Sequence, residues 1–242
     1  AWPPKSTPRL FVEQPLAVGA TLNIAGNSAH YLTGVMRLKE GAPVKLFDDI
    51  SGEYLATIAH LGKRDLDLTV DAKLRDRELS PDLWICQALL KKDRFDWIAE
   101  KACELGVSRF VPVLTARCVV DKVKDDRLRM HMIEAAEQCE RTALPQIATL
   151  TRIEALLQKW PTERTLYFCD ERGGEPFLDA ITAGPSAVLI GPEGGFTDSE
   201  NAAIRAHPNA RPVSLGPRIL RADTAAVTAI SVWMAKNGDW SA

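Results

Sequence analysis

The sequence predicts an α/β protein in two parts. A small β-barrel-like module runs to residue 75, and a parallel sheet covered by helices fills residues 76–242. Two changes of rhythm predict this. Up to residue 75 short apolar runs of strand length follow one another between turn residues, with a single helical interruption. Beyond the charged, proline-ended stretch Arg75-Asp76-Arg77-Glu78-Leu79-Ser80-Pro81, which reads as a linker, strands and helices alternate. No internal repeat and no low-complexity tract complicates the division.

In the first part, Arg9–Val12, Pro43–Phe47, Tyr54–Ile58 and Leu66–Val70 read as strands. Tyr31, Leu32, Val35 and Met36 recur at helical spacing and predict a helix over Ser28–Met36. In the second part, Leu83–Leu90 reads as a strand and Asp93–Leu105 as a helix with Phe95, Ile98, Ala99, Ala102 and Leu105 on one face. Phe110–Leu114 follows as a strand and Asp125–Arg141 as a helix. Thr165–Cys169 and Ala187–Ile190 are apolar runs of the kind a buried strand needs. Thr197-Asp198-Ser199-Glu200 is a capping box, so a helix starts there. Pro212–Leu215 is a last strand and Arg221–Lys236 a last helix. That helix is apolar nearly all round, which demands burial in a core or a subunit interface.

Composition narrows the class. With 46% hydrophobic residues and 26% charged, the chain can bury a core. No apolar run approaches the roughly 20 residues that span a bilayer, and the start at Ala1–Lys5 lacks a signal-peptide pattern. Cys86, Cys103, Cys118, Cys139 and Cys169 form no C-x-x-C pair, which fits a reducing cytoplasm better than a disulfide or zinc scaffold. His30, His60, His131 and His207 have no metal spacing, and no metal is expected. Trp84, Trp97, Trp160 and Trp233 fall in or beside apolar patterns and read as packing residues. The formal charge of -2 means that nucleic acid could be held only by a local basic patch.

Two glycine loops carry the chemistry. Leu189-Ile190-Gly191-Pro192-Glu193-Gly194-Gly195-Phe196 leaves a strand and enters the capped helix. Glycine there lets the backbone approach a ligand. The spacing is neither G-x-G-x-x-G nor a P-loop, which disfavours a dehydrogenase or a kinase. Alone, such a loop is as readily a structural turn. Ser214-Leu215-Gly216-Pro217-Arg218-Ile219-Leu220-Arg221 repeats the arrangement, then enters a helix through Ala222-Asp223-Thr224-Ala225. Two strand-end loops of this kind can form one cleft, with Arg218 and Arg221 at its edge.

"LIGPEGGF" followed by "SLGPRILRADTAA" resembles the RsmE-type 16S ribosomal RNA uracil-N3 methyltransferases of the SPOUT superfamily. The likeness continues in "PRLFV", "HYLTGVMRLKEG" and "LFDD" of the first part, and in "KACELGVSRFVPV", "ARCVV" and "EQCERT" of the second. The resemblance implies a PUA-like RNA-binding barrel over residues 1–75 and a knotted SPOUT-type methyltransferase domain over 76–242. It also implies a homodimer, S-adenosylmethionine as cofactor, and a uridine of 16S ribosomal RNA in the small ribosomal subunit as target. By position, the cofactor residues are Leu189, Ile190, Gly191, Pro192, Glu193, Gly194 and Gly195 in one loop. Leu215, Gly216, Ile219 and Leu220 come from the other, with Thr224 and Ala225 opening the last helix. The family pattern Leu-Arg-x-Glu-Thr is here Leu220-Arg221-Ala222-Asp223-Thr224. Aspartate keeps the charge but shortens the reach by a methylene.

Methylation at N3 of a uridine requires loss of the N3 proton, and the resulting charge spreads onto O2 and O4. A fixed guanidinium beside those oxygens stabilises charge that develops toward the transition state, and Arg221 is the first candidate. A structural partnership with Asp223 or a loop carbonyl is its competing role. Asp223 is the second catalytic candidate, and Asp223 and Glu193 are both candidate bases, with helix-terminus acceptor as the blander alternative for each. Arg9, Arg37, Lys91, Lys92, Arg94, Arg117 and Arg141 are candidate RNA contacts, although exposed cations are more often simply solvated. Two alternatives stay open from the sequence: a related enzyme with another target base, and a non-catalytic RNA-binding or ribosome-assembly factor.

Overall fold

A computed structural model describes residues 6–241; the signal-peptide reading at Ala1–Lys5 lies outside the described residues. Two compact units are present. One runs to Leu79 and takes in Ala136–Leu144; the other comprises Ser80–Ala135 and the chain from Pro145 onward. Among the described residues no helix is long and apolar enough to cross a membrane.

The first unit is a mixed five-stranded sheet ordered β1-β3-β4-β5-β2, where β1 is Arg9–Phe11, β2 Thr21–Ala25, β3 Pro43–Phe47, β4 Glu53–Leu61 and β5 Asp65–Arg75. β1 pairs in parallel with β3 and the remaining pairs are antiparallel. Irregular register between β4 and β5 at three points bends the sheet into a half-barrel, with β1 and β2 as its edges. Its concave face holds Leu10, Leu22, Ile24, Leu32, Val44, Leu46, Ile58, Leu66, Leu68 and Val70. β2 alternates out and in with a period of two, a signal that the sequence reading passed over. The expected helix over Ser28–Met36 is a short α-helix, α1 (Gly26–His30), continuing as a π-turn over Tyr31–Val35.

Segment 136–144 joins this unit through charge. Arg9 is 7% exposed; its guanidinium pairs with Glu53, lies over the Phe47 ring and donates to the carbonyls of Ala136, Glu137 and Arg141. Arg141, 6% exposed, pairs with Glu78 at 2.7 Å. The supposed linker is therefore tied down: Glu78 also accepts from the Thr142 N–H, and Arg77 binds Asp49. Both arginines are spent on the protein's own carboxylates and carbonyls. The expectation that Arg9 and Arg141 contact RNA is corrected accordingly.

Arg9→Ala is expected to cost about 3 kcal/mol, because a buried carboxylate loses one of its two cations. Chemical denaturation reads this directly, and a loss under about 1 kcal/mol would contradict the assignment. Burial alone would raise the Glu53 pKa, but Arg75 and Arg9 outweigh it and hold the carboxyl below its ordinary 4.5. The pair thus contributes stability above that ordinary value and loses it as pH falls through the lower folded value. Arg9→Ala should flatten this acid-side loss.

The second unit is a parallel sheet ordered β11-β13-β10-β12-β6-β7-β8. Its strands are β6 (Leu83–Ala88), β7 (Arg109–Leu114), β8 (Gln146–Ile147), β10 (Thr165–Cys169), β11 (Glu175–Pro176), β12 (Ser186–Ile190) and β13 (Ala210–Ser214), with β9 (Thr151–Arg152) on β7. Every residue of central β12 is buried. Along β10 the side chains divide by alternation. Leu166 and Phe168 join Ile153, Phe196 and Ile204 in one core, whereas Tyr167 stacks edge-on with Phe177. The helices are α2 (Lys92–Glu104), α3 (Asp125–Cys139), α4 (Ile153–Gln158), α5 (Phe177–Ala180), α6 (Asp198–Ala206) and α7 (Ala222–Asn237). α7 packs on α2, β6 and β12, burying Ala226, Ala229, Ile230, Trp233 and Met234. α3 stops at Cys139, short of the expected Arg141, where Glu140 turns to φ 64. β13, β10 and β12 are neighbours running the same way, so their three following loops emerge at one edge of the sheet.

Candidate active site

Those three loops enclose a cavity of about 600 Å³. The β12 loop contributes Ile190, Gly191, Pro192, Glu193 and Gly195; the β13 loop contributes Leu215 through Arg221. Ala225 of α7 and Arg94 of α2 also line it. The two glycine loops singled out in the sequence do meet. Leu189, Gly194 and Thr224 do not line the cavity: Leu189 is buried in the core, and a Cβ on Gly194 would face Arg117.

The third loop, Cys169–Gly173 after β10, escaped the sequence reading. Its signal was a buried strand ending in Asp170-Glu171-Arg172-Gly173-Gly174. Asp170 anchors it. Burial would raise that carboxyl's pKa, but the Arg172 N–H, Asn201 and Arg205 all donate to it and hold it below the ordinary carboxylate value. Burial pushes the Cys169 thiol up to about 12.

The β12 loop is held from several sides. Thr197 and Glu200 form the expected capping box at the start of α6. Glu200 Oε1 also accepts from the Ala116 N–H at 2.7 Å, which fixes the chain at Arg117. Arg117 Nη1 in turn donates to the Gly194 carbonyl at 2.9 Å. An expected RNA contact thus doubles as a brace for the glycine loop.

Arg221 occupies the N-cap of α7 with an extended backbone, its carbonyl accepting from the Ala225 N–H at 2.8 Å. Its side chain lines the cavity, is exposed, and has no partner among the described residues. The competing role, a bond to Asp223 or a loop carbonyl, does not occur there. Asp223 Oδ1 accepts from the Thr224 N–H at 2.8 Å, and its Oδ2 lies 4.0 Å from Arg94 Nε. Arg94 Nη1 is also 4.0 Å from Glu193 Oε1, so one guanidinium spans a carboxylate of the β12 loop and one of the first turn of α7. Of the remaining cations, Lys91 and Lys92 precede Arg94 and are exposed, and exposed Arg37 follows the π-turn at φ 54. Among the described residues no group of three or more His, Cys, Asp or Glu side chains is placed to hold a metal ion.

A parallel α/β unit whose strand-end loops close over one backbone-lined cavity, accompanied by a small half-barrel, defines a two-module protein with a small-molecule site at the strand ends. Residues 77–234 match the RNA methyltransferase domain, and residues 24–71 the RNA methyltransferase PUA domain. The ribosomal RNA small subunit methyltransferase E of Rickettsia conorii is 32% identical, the match covering 92% of this chain and 93% of that one. The Bacillus subtilis protein of the same name is 30% identical over 92% and 94%. A crystal structure of the Neisseria gonorrhoeae ribosomal RNA small subunit methyltransferase E bound to S-adenosyl methionine superposes with a TM-score of 0.86, at 27% identity over 95% and 97% of the two chains. The chain belongs to the ribosomal RNA small subunit methyltransferase E family.

Proposed function

We propose that this protein methylates N3 of a uridine in 16S ribosomal RNA of the small ribosomal subunit, at the decoding-region site of the 1498 type, using S-adenosylmethionine. The observation that carries the reading is the Arg221 guanidinium, without a partner among the described residues, at a cavity built from backbone loops. The cavity suits the cofactor: its volume of about 600 Å³ is that of a small-molecule site, with Ile190, Leu215 and Leu220 as apolar walls. Glu171 and Glu193 bring negative charge to a cavity that would receive a sulfonium cation. When bound, the cofactor supplies an electrophilic methyl group.

The chain's own residues do the rest. The glycine loops hold and orient, and most of the acceleration comes from alignment. Arg221 is placed to stabilise negative charge on a uracil oxygen once the N3 proton has gone. Asp223 and Glu193 are the carboxylates at hand to take that proton. Arg94 lies 4.0 Å from a carboxylate oxygen of each.

The proposal extends to a knot, a homodimer and the cytoplasm. In favour of the knot, α5, which lies in the connection from β10 to β12, packs against both β13 and α7, beside the path by which the chain leaves β13 for α7. In favour of a dimer, Val227, Thr228, Ser231 and Val232 leave one side of apolar α7 only partly covered. Unmodified small ribosomal subunits incubated with the protein and S-adenosylmethionine should yield 3-methyluridine by nucleoside mass spectrometry. A methyl group on another base would overturn the target, and none at all would overturn the activity.

A further inference from the structure

Trp97 does not do what its place beside an apolar pattern implies. The buried stripe of α2 is Phe95, Ile98, Ala99, Ala102 and Cys103, complete without it, and Trp97 is 41% exposed. Its helical position lies off that stripe, which corrects the packing role expected from sequence. The indole is nonetheless held. Lys101 Nζ lies over the ring, 5.8 Å from its centre, and is itself fixed by Glu100 and Glu104 at 2.7 and 2.6 Å. A large aromatic surface thus stands in water at small entropic cost for further immobilisation.

Its neighbourhood identifies the chemistry of what it meets. Arg94, one turn earlier on the same face, lines the cavity that holds Arg221. Lys91 and Lys92 are exposed and without ion-pair partners among the described residues. Glu100 and Glu104 are both engaged by Lys101, and Asp96 is buried and paired with Arg127, so Asp93 is the exposed acid that remains on this turn. An exposed ring flanked by cations, beside the mouth of a site for RNA, offers a π-face to a base and positive charge to its phosphates.

We propose that Trp97 stacks an unpaired nucleotide flanking the target uridine, with Lys91 and Lys92 on the adjoining phosphates. This rests on the function proposed above and adds the residue that positions the RNA strand over Arg94. The step is non-covalent, and it acts on substrate binding in preference to chemistry.

The test compares the wild type with Trp97→Ala, Trp97→Leu and Trp97→Phe. Three quantities are read: methyl transfer to unmodified small ribosomal subunits, direct binding of a single-stranded oligouridylate, and S-adenosylmethionine affinity. Alanine and leucine should raise the KM for subunits and weaken oligouridylate binding about 5- to 150-fold, as loss of one stacked base does. Phenylalanine should recover most of that loss, because it keeps a π-face. Cofactor affinity, kcat and melting temperature should stay near wild type in all three. Leucine binding RNA as well as phenylalanine would overturn stacking, since only the ring differs. A fall in cofactor affinity or melting temperature that parallels the RNA loss would make Trp97 structural. Loss of a dimer by sedimentation, with RNA binding by the remaining species unchanged, would assign the ring to a second copy. A wild type that binds oligouridylate through Trp97 but methylates no subunit would sink the proposed reaction and leave the stacking inference standing. A wild type that methylates subunits with Trp97 indifferent would do the reverse.

Discussion

Arg221→Ala is expected to lower kcat by about a hundred- to a thousandfold, the usual effect of removing one donor from a site of developing negative charge. Affinity for S-adenosylmethionine should change little. The division follows from what the residue does in the fold. Its main chain serves the helix: the carbonyl accepts the Ala225 N–H, and any residue with the same extended N-cap backbone would do this. Its guanidinium, by contrast, has no acceptor among the described residues, so truncation strands no buried carboxylate and opens no void in the core. Melting temperature should therefore hold within a degree or two. Arg221→Lys separates charge from geometry, because an ammonium keeps the cation but lacks the planar fork that can meet a uracil oxygen edge-on. An intermediate rate is expected. If alanine abolished cofactor binding and turnover together, Arg221 would be a wall of the cavity, and the charge on the uracil would need another partner.

How far the site could be read from sequence depends on the range of each signal. The two glycine loops were legible because each is a local event, a buried strand running into glycine and then into a helix start. The capping box at Thr197 and Glu200 was equally local. The third loop was missed because its decisive contacts are distant: Asp170 is set by Asn201 and Arg205, some thirty residues on. Arg9 and Arg141 show the same limit more sharply. A cation's own neighbours in sequence do not reveal whether it meets water or a buried carboxylate. Glu53 lies 44 residues from Arg9, and the carbonyls of segment 136–144 lie farther still. The return of that segment to the first unit has no local signature at all. Trp97 erred in the opposite direction, because an aromatic beside an apolar stripe looks like core until the helix phase is fixed. Fold class survives such errors, since strand–helix alternation sums over many residues, whereas a role for one side chain does not.

Gly191→Val should weaken S-adenosylmethionine binding by about 5- to 150-fold, in line with the 1–3 kcal/mol that overpacking costs. A Cβ at position 191 would stand 2.8 Å from Phe196 Cε2 and 3.2 Å from its Cδ2. Phe196 cannot swing away cheaply: it is 7% exposed and packs edge-on against Phe168 with ring centres 5.3 Å apart. The strain therefore falls on the loop, and the loop backbone is the cavity wall. Gly194→Val supplies the internal comparison. Its Cβ would meet Arg117 at 3.3 Å, outside the cavity, on a side chain with room to adjust. A smaller loss is expected there, arising from a weakened Arg117 brace on the Gly194 carbonyl. Gly191→Ala, which adds the clashing atom but no branch, should fall between wild type and valine. Calorimetric affinities for the three variants, taken alongside their melting temperatures, decide the matter. Equal losses at 191 and 194 would mean that general loosening of the loop, and not its shape against Phe196, governs binding. Unchanged affinity in Gly191→Val, with the protein folded, would remove the β12 loop from the cofactor site altogether.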